Sequence, residues 1–364
     1  MRALSLSAVL ALVLVVAAPP LCGQSGANGA ATRRALADSI AQARALVSES
    51  VAGVPGLSIA VGREGRIVRA EGFGWADLEQ RVPVRTTTRF RIGSVSKPFT
   101  AAAVALLVRR GALDLDRPVH EYVPSFPAHD PPVTTRLAAG HLAGIRHYRG
   151  LEFLNARRYD DVRAGLAIFQ DDPLIATPGE RYSYSSYGWN LVAAVVEVAA
   201  EKEFLAFMRD EVFEPLAMRS TGPDHVRALV QERARPYERG GDGGFVNARH
   251  VDNSSKWAGG GFLSTPEDMV RFGLAHLEPG FHDAEALELL FTSMRSSAGA
   301  PTGYGLGWSV SQGDGRRTLR HGGGSVGGTT GLALYPDTGV VVALVANLSD
   351  ASLPRAEAIA ELFE

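Results

Sequence analysis

A serine and a lysine three positions apart, Ser94 and Lys97 in Ser94-Val95-Ser96-Lys97, are the pair in this 364-residue chain best placed to do chemistry. On a helix, residues three apart project from nearly one face. The lysine amine then reaches the serine hydroxyl, while the free N–H groups of the first turn point at developing negative charge. A hydroxyl is a weak nucleophile until a neighbouring base takes its proton, help that is typically worth about 10²- to 10⁴-fold in rate. A lysine gives that help only as a neutral amine. From an ordinary value near 10.4 this asks for a downward shift of about three units, roughly 4 kcal/mol, and hence for burial or a cationic neighbour. The basic set adds weight, because only Lys97, Lys202 and Lys256 among its 37 members are Lys. Such a chain keeps lysine more often where arginine, which does not deprotonate, cannot serve. The plain alternative is that Ser94 caps a helix and Lys97 is a surface residue.

Other segments offer competing chemistry. Gly323-Gly324-Ser325-Val326-Gly327 matches G-x-S-x-G, with Ser325 as a second nucleophile candidate. That motif requires a helix after the serine and a histidine later in the chain, whereas Ser325 leads into β-rich text and no His follows it. The glycine run lacks the Lys-Ser/Thr ending of a phosphate loop. The nine His form no H-E-x-x-H or comparable pair, so no metal or other cofactor is expected. His141 and His147 read as structural, and Tyr184 taken alone reads as a half-buried aromatic.

The elements that must hold Ser94 and Lys97 follow from periodicity. Residues 32–50 read as an alanine-rich helix, and residues 57–61 and 67–74 as a β-hairpin turning at Arg63-Glu64-Gly65. Residues 94–110 read as a helix with Ser94 at its N-cap, Pro98 tolerated in the first turn and Gly111 as a stop. Helical segments then dominate to residue 276, including 185–201 and 266–276 after the cap Thr265. Strand-like text returns near the C-terminus at 305–310, 317–320, 330–335 and 340–346, with Asp337-Thr338-Gly339 as a hairpin turn and a last helix at 351–363. The expected fold is α/β in the α+β sense: an antiparallel sheet built from both termini, flanked by helices, with an inserted mainly helical lobe. Its parts are a sheet lobe of about 32–92 and 300–364 and a helical lobe of about 93–299.

Composition bounds the rest. With 46% apolar and 21% charged residues the chain can bury a large core, and a formal net charge of −2 gives no nucleic-acid footprint. Met1-Arg2, an apolar run of about 15 residues and Pro19-Pro20 read as a secretory signal peptide over residues 1–23, too short for the roughly 20 residues of a membrane span. Residues 24–364 are then the catalytic domain, exported to the periplasm or secreted, without an integral membrane segment. Cys22 is the single cysteine, which excludes an intrachain disulfide and leaves lipid attachment there as a weaker reading.

Two further segments sharpen the Ser-Lys pair: residues 178–188, Pro-Gly-Glu-Arg-Tyr-Ser-Tyr-Ser-Ser-Tyr-Gly, and residues 321–325, His-Gly-Gly-Gly-Ser. With these, with residues 72–77 and 111–116, with His141-Leu142-Ala143-Gly144-Ile145-Arg146-His147-Tyr148 and with Trp257-Ala258-Gly259-Gly260-Gly261, the chain resembles the serine β-lactamase and penicillin-binding-protein superfamily. The likeness is nearest to mitochondrial β-lactamase-like serine proteases and their bacterial relatives, and it spans roughly residues 54–346. It implies Ser94 and Lys97 as the first motif. The second motif, usually Tyr-x-Asn, falls on Tyr184, Ser185 and Ser186, with Tyr182 as the alternative tyrosine. The third, usually Lys-Thr-Gly, falls on His321, Gly322 and Gly323.

Catalysis is thereby expected of Ser94, Lys97, Tyr184 and His321, and oxyanion or substrate binding of Ser94, Gly324, Ser186 and Gly323. Replacing the Asn amide by a hydroxyl and the motif Lys by His disfavours efficient β-lactam hydrolysis. The implied activity is acyl transfer through a Ser94 ester on small peptide, amide or ester substrates. A peptidase leads, a carboxylesterase or weak β-lactamase follows, and a non-catalytic peptide-binding or scaffold protein is the reading from another class. A homo-oligomer is compatible with the sequence. Two points stay open at this stage: whether Lys97 or Tyr184 takes the proton from Ser94, Tyr184 then activating the deacylating water, and whether His321 adds an ionisation near pH 6 to 7.

Overall fold

The computed structural model describes the backbone of residues 24–364 except residue 314, and side chains from residue 34 onward; the expected leader and Cys22 lie outside the described residues. Helix α1 (Gln24–Val51) is followed by strands β1 (Gly56–Arg63), β2 (Arg66–Asp77) and the short β3 (Val82–Pro83). Near the C-terminus come β4 (Ser309–Gly313), β5 (Arg316–Ser325), β6 (Gly328–Tyr335) and β7 (Val340–Ala346). These form one antiparallel sheet in the spatial order β3-β2-β1-β7-β6-β5-β4. The seam between the two chain ends is the pairing of β1 with β7, Leu57 opposite Ala346 and Val61 opposite Val342.

Both central strands are apolar on both faces, as a sheet covered on two sides requires. Leu57, Ile59, Val61, Val342 and Leu344 pack under α1 and the C-terminal turns that carry Ile359 and Phe363. Ala60, Val341, Ala343 and Val345 face the larger core. That core is built around α2 (Ser96–Arg109), α3 (Ser186–Ala199) and α4 (Pro266–Ala275), with α4 lying on β1 and β7. Burial of each such Val or Leu is worth about 1.5–3 kcal/mol. Helix α2 is almost wholly buried because its interior is alanine, valine and leucine. Thr265 caps α4, its hydroxyl accepting from Asp268 N as expected.

Three readings of the sequence are corrected here. The final helix is short, Ala356–Ala360 continuing as a 3₁₀ turn over Glu361–Phe363. The middle of the chain is not free of strands: Phe90–Arg91, Phe262–Ser264 and Gly222–Pro223 make a small sheet, and Tyr237–Arg239 pairs with Phe245–Asn247. β5 does not stop at residue 320 but runs through the glycines to Ser325. Glycine is a poor strand former, and tertiary packing overrides that preference where a second backbone passes close by.

Candidate active site

Ser94 sits in a 3₁₀ turn, Gly93–Val95, immediately before α2, whose N-cap is Val95. The hydroxyl is therefore not spent on capping, contrary to the N-cap expectation, and it meets the Lys97 amine at 3.0 Å. Lys97 is fully buried, and its Nζ also lies 3.0 Å from Ser186 Oγ and 2.6 Å from the carbonyl of Gly259. Burial, with the nearby Lys256 charge second, holds its pKa well below the ordinary 10.5. A neutral amine has two N–H donors and one lone pair. Here the carbonyl must accept one N–H and Ser186 can accept the other, which leaves the lone pair for the proton of Ser94.

The second motif opens α3. Ser185 caps that helix, accepting from Gly188 N at 3.0 Å and donating to Arg146 O at 2.7 Å. Two histidines hold the adjacent backbone: Ser185 N donates to His141 Nδ1 at 3.1 Å and Ser186 N to His147 Nδ1 at 3.2 Å. Each ring accepts through Nδ1, so each must stay neutral. Burial lowers both, His147 to about 4 and His141 well below its ordinary value. The structural reading of the two histidines holds, and what they support is the site. The Tyr184 ring packs at a tilt on His141 with centroids 4.3 Å apart, its centroid lies 4.9 Å from Lys97 Nζ, and its hydroxyl interacts with those of Ser94 and Ser186. Burial pushes the Tyr184 phenol up to about 12. Tyr182 is partly exposed, and its ring packs on His141 and Tyr304 rather than against Ser94 or Lys97.

β5 closes the site from the other chain end. A Cβ on Gly323 would stand 2.0 Å from the Ile92 carbonyl oxygen and 3.2 Å from Ser94 N. Gly93 has φ +51° and a Cβ there would meet Gly324 O at 2.4 Å. Two backbones thus touch at the turn that carries Ser94, which explains glycine on both. His321 is buried. Its Nδ1 donates to Gly322 O at 2.7 Å, so Nε2 accepts from the Tyr304 hydroxyl at 2.9 Å. Burial, with the Lys97 charge second, takes its pKa down to about 3. The expected His321 ionisation near pH 6 to 7 is therefore corrected: the ring stays neutral, with a fixed tautomer. Ser325 ends β5 and leads into β6, with no helix after it, in keeping with its rejection as nucleophile.

Ser94, Ser186 and Gly324 line a cleft of about 340 Å³. Lys97, Tyr184 and His321 do not line it and stand behind Ser94 and Ser186. The cleft shares Phe153, Gly324 and Ser325 with a neighbouring hollow of about 450 Å³. Two further lining residues, Tyr148 and Lys256, were not singled out for the site from sequence. Tyr148 is the last residue of the His141–Tyr148 segment, and its hydroxyl interacts with Ser186. Lys256 had only its rarity as a signal. Among the described residues no group of His, Cys, Asp and Glu could hold a metal ion.

Comparison with known proteins agrees with this architecture. The profile of the family described as Beta-lactamase matches residues 43–363. The human protein described as Serine beta-lactamase-like protein LACTB, mitochondrial, is 29% identical over 83% of this chain and 75% of its own length. Penicillin-binding protein 4* of Bacillus subtilis (strain 168) is 28% identical over 75% of this chain and 64% of its own. The octameric penicillin-binding protein homologue from Pyrococcus abyssi superposes with a TM-score of 0.78 at 26% identity, covering 89% of this chain and 76% of that one.

Proposed function

The chain belongs to the β-lactamase family of serine hydrolases, and from that premise we propose that it is a peptidase that forms a covalent acyl-enzyme on Ser94. The observation that carries this reading is the 3.0 Å contact of the Ser94 hydroxyl with a fully buried lysine amine, whose pKa burial holds well below its ordinary value. Ser94 Oγ attacks the substrate carbonyl carbon as its proton passes to the Lys97 lone pair. The tetrahedral oxyanion is received by the backbone N–H groups of Ser94 and Gly324, a pairing supported by the close approach of β5 to the nucleophile turn.

Collapse breaks the bond to the leaving amine, which takes a proton from the Tyr184 phenol; the Lys97 ammonium then returns its proton to Tyr184. In deacylation water attacks the ester carbonyl, its proton goes to Lys97, and Ser94 leaves protonated. A phenol held up at about 12 is a donor at neutral pH. The base in both half-reactions is therefore Lys97, rather than a tyrosinate that activates water. His321 orients Tyr304 and takes no proton. A neutral His321 in place of the motif lysine, and Ser186 in place of asparagine, favour peptide or amide substrates over β-lactams.

A fluorophosphonate probe tests the nucleophile. Labelling of Ser94 in native but not heat-denatured protein is the expected result. An unlabelled, well-folded protein would refute the hydrolase mechanism, and an adduct on Ser325 would reassign the nucleophile.

Two finer readings join this proposal. Among the described residues no helix is long and apolar enough to cross a membrane. Export through removal of residues 1–23 is checked by N-terminal sequencing of the mature protein. A homo-oligomer, supported by the octameric relative, is checked by light scattering.

A further inference from the structure

Lys256 is a buried cation with no carboxylate within ion-pair distance among the described residues. It ends a 3₁₀ turn, Asn253–Lys256, next to the turn whose Gly259 carbonyl binds Lys97. The residue is 5% exposed, and its Nζ donates to the Phe153 carbonyl at 3.2 Å. The remaining donors lie over the rings of Phe153, 4.5 Å from the centroid, and Tyr148, 5.5 Å away. The nearby buried acid, Asp224, is committed elsewhere: to Arg91 at 2.7 Å, Asn253 at 2.9 Å and Arg233 at 3.8 Å. A buried ammonium with one carbonyl and two ring faces is under-satisfied, a costly arrangement that a ligand group can relieve. The residue lines the same cleft as Ser94, Ser186 and Gly324. Arg91 adds to the positive charge there and Asp224 offsets part of it from a distance, each acting on the Lys256 amine through space rather than as a bonded partner.

We propose that Lys256 is a specificity residue that receives a carboxylate of the substrate, so that the preferred acyl donors are anionic. The charge absent from the third motif at His321 is supplied here from a different segment of the chain. The proposal rests on the hydrolase reading for its catalytic consequence, while the anion site itself does not. Its amine is lowered by burial to about 8, so it carries its charge at neutral pH and loses it above.

Matched chromogenic esters, p-nitrophenyl hydrogen glutarate and p-nitrophenyl valerate, read the selectivity. In the wild type the anionic ester is expected to lead in kcat/KM by at least about 30-fold, the scale of a buried charge pair. The ratio should collapse toward unity in Lys256→Met, mainly through KM. An unchanged ratio overturns the proposal.

Calorimetric titration with glutarate against neutral glutaramide reads the site without turnover. Glutarate binding that is lost in Lys256→Met supports it. Equal binding of the two probes, equal binding by the variant, or no glutarate binding overturns it. If Lys256→Met does not fold, the wild type alone decides: glutarate affinity must fall as pH rises through about 8, and an affinity that stays constant to pH 9.5 overturns the assignment. Glutarate binding without hydrolysis of either ester and without a Ser94 adduct would sink the hydrolase reading and leave the anion site standing.

Discussion

Replacing Lys97 by methionine should destroy activity and make the protein more stable. The side chain is fully buried and burial holds its amine well below 10.5; the neutral-base mechanism requires that amine to be deprotonated in the folded state at pH 7, whereas the unfolded chain holds the proton up to 10.5. At pH 7 that deprotonation costs about 1.4 kcal/mol for each unit below 10.5, roughly 5 kcal/mol in all. Methionine removes this cost and fills a similar volume. Against it stand the contacts to Ser94, Ser186 and Gly259. Their loss, with the Gly259 carbonyl left unpaired, offsets about 2–4 kcal/mol. The balance favours the variant by on the order of 1–3 kcal/mol, with turnover down about 10²- to 10⁴-fold.

The pH dependence discriminates more sharply than the size of the effect. Between the folded pKa and 10.5 the unfolded state binds one more proton than the folded one, so wild-type stability rises with pH by up to about 1.4 kcal/mol per unit. The variant lacks this component. Urea unfolding of both proteins at pH 7, 8 and 9 gives the difference, and the advantage of the variant should shrink as pH rises. A difference that does not change over this range would mean that Lys97 is charged when folded, and the neutral-base mechanism would fail.

Other expectations are as direct. Ser94→Ala should fold normally and lose fluorophosphonate labelling and turnover; more than a small residual rate removes Ser94 as nucleophile. Tyr184→Phe should slow hydrolysis of an amide at least about tenfold more than that of an activated p-nitrophenyl ester, because only the poor leaving group needs the phenol proton; equal losses would exclude proton donation. Gly93→Ala forces a φ of +51° on alanine and a Cβ into the Gly324 carbonyl. A loss of about 2–5 kcal/mol and of labelling is expected from thermal unfolding and probe kinetics, and wild-type values would show that the turn relaxes freely. Acid should destabilise the fold: His321 and His276, lowered to about 3, and His147, lowered to about 4, are neutral when folded and protonate below 6.5 when unfolded. Stability is thus lost as pH falls from about 6.5 toward 3. Urea midpoints at pH 7 and 5 check this, and His276→Gln should reduce the slope by up to one proton.

Local sequence patterns paired Ser94 with Lys97 because three residues on a helix start are one neighbourhood; the hairpin of β1 and β2 and the strand β7 were equally local. The third motif was found only through resemblance, and its backbone was misjudged, since the reason for glycine at 323 lies at Ile92 and Ser94, more than 200 positions away. Lys256 and Tyr148 escaped for the same reason: nothing beside them in the sequence says which cleft they enter. Protonation was the least legible property. His321 looked like a neutral-range titrator until its burial and its bond with Tyr304 were visible.

The seam between β1 and β7 has a consequence for how the molecule comes into being. Leu57 waits for Ala346, about 290 residues later, and the cleft waits for Gly324. Pairing of this kind closes a very long loop and cannot proceed segment by segment as the chain emerges. A nascent or truncated chain that ends before residue 324 holds Ser94 and Lys97 without the wall beside them. Hydrolytic competence therefore arises only once the C-terminal strands have been made and have closed onto β1.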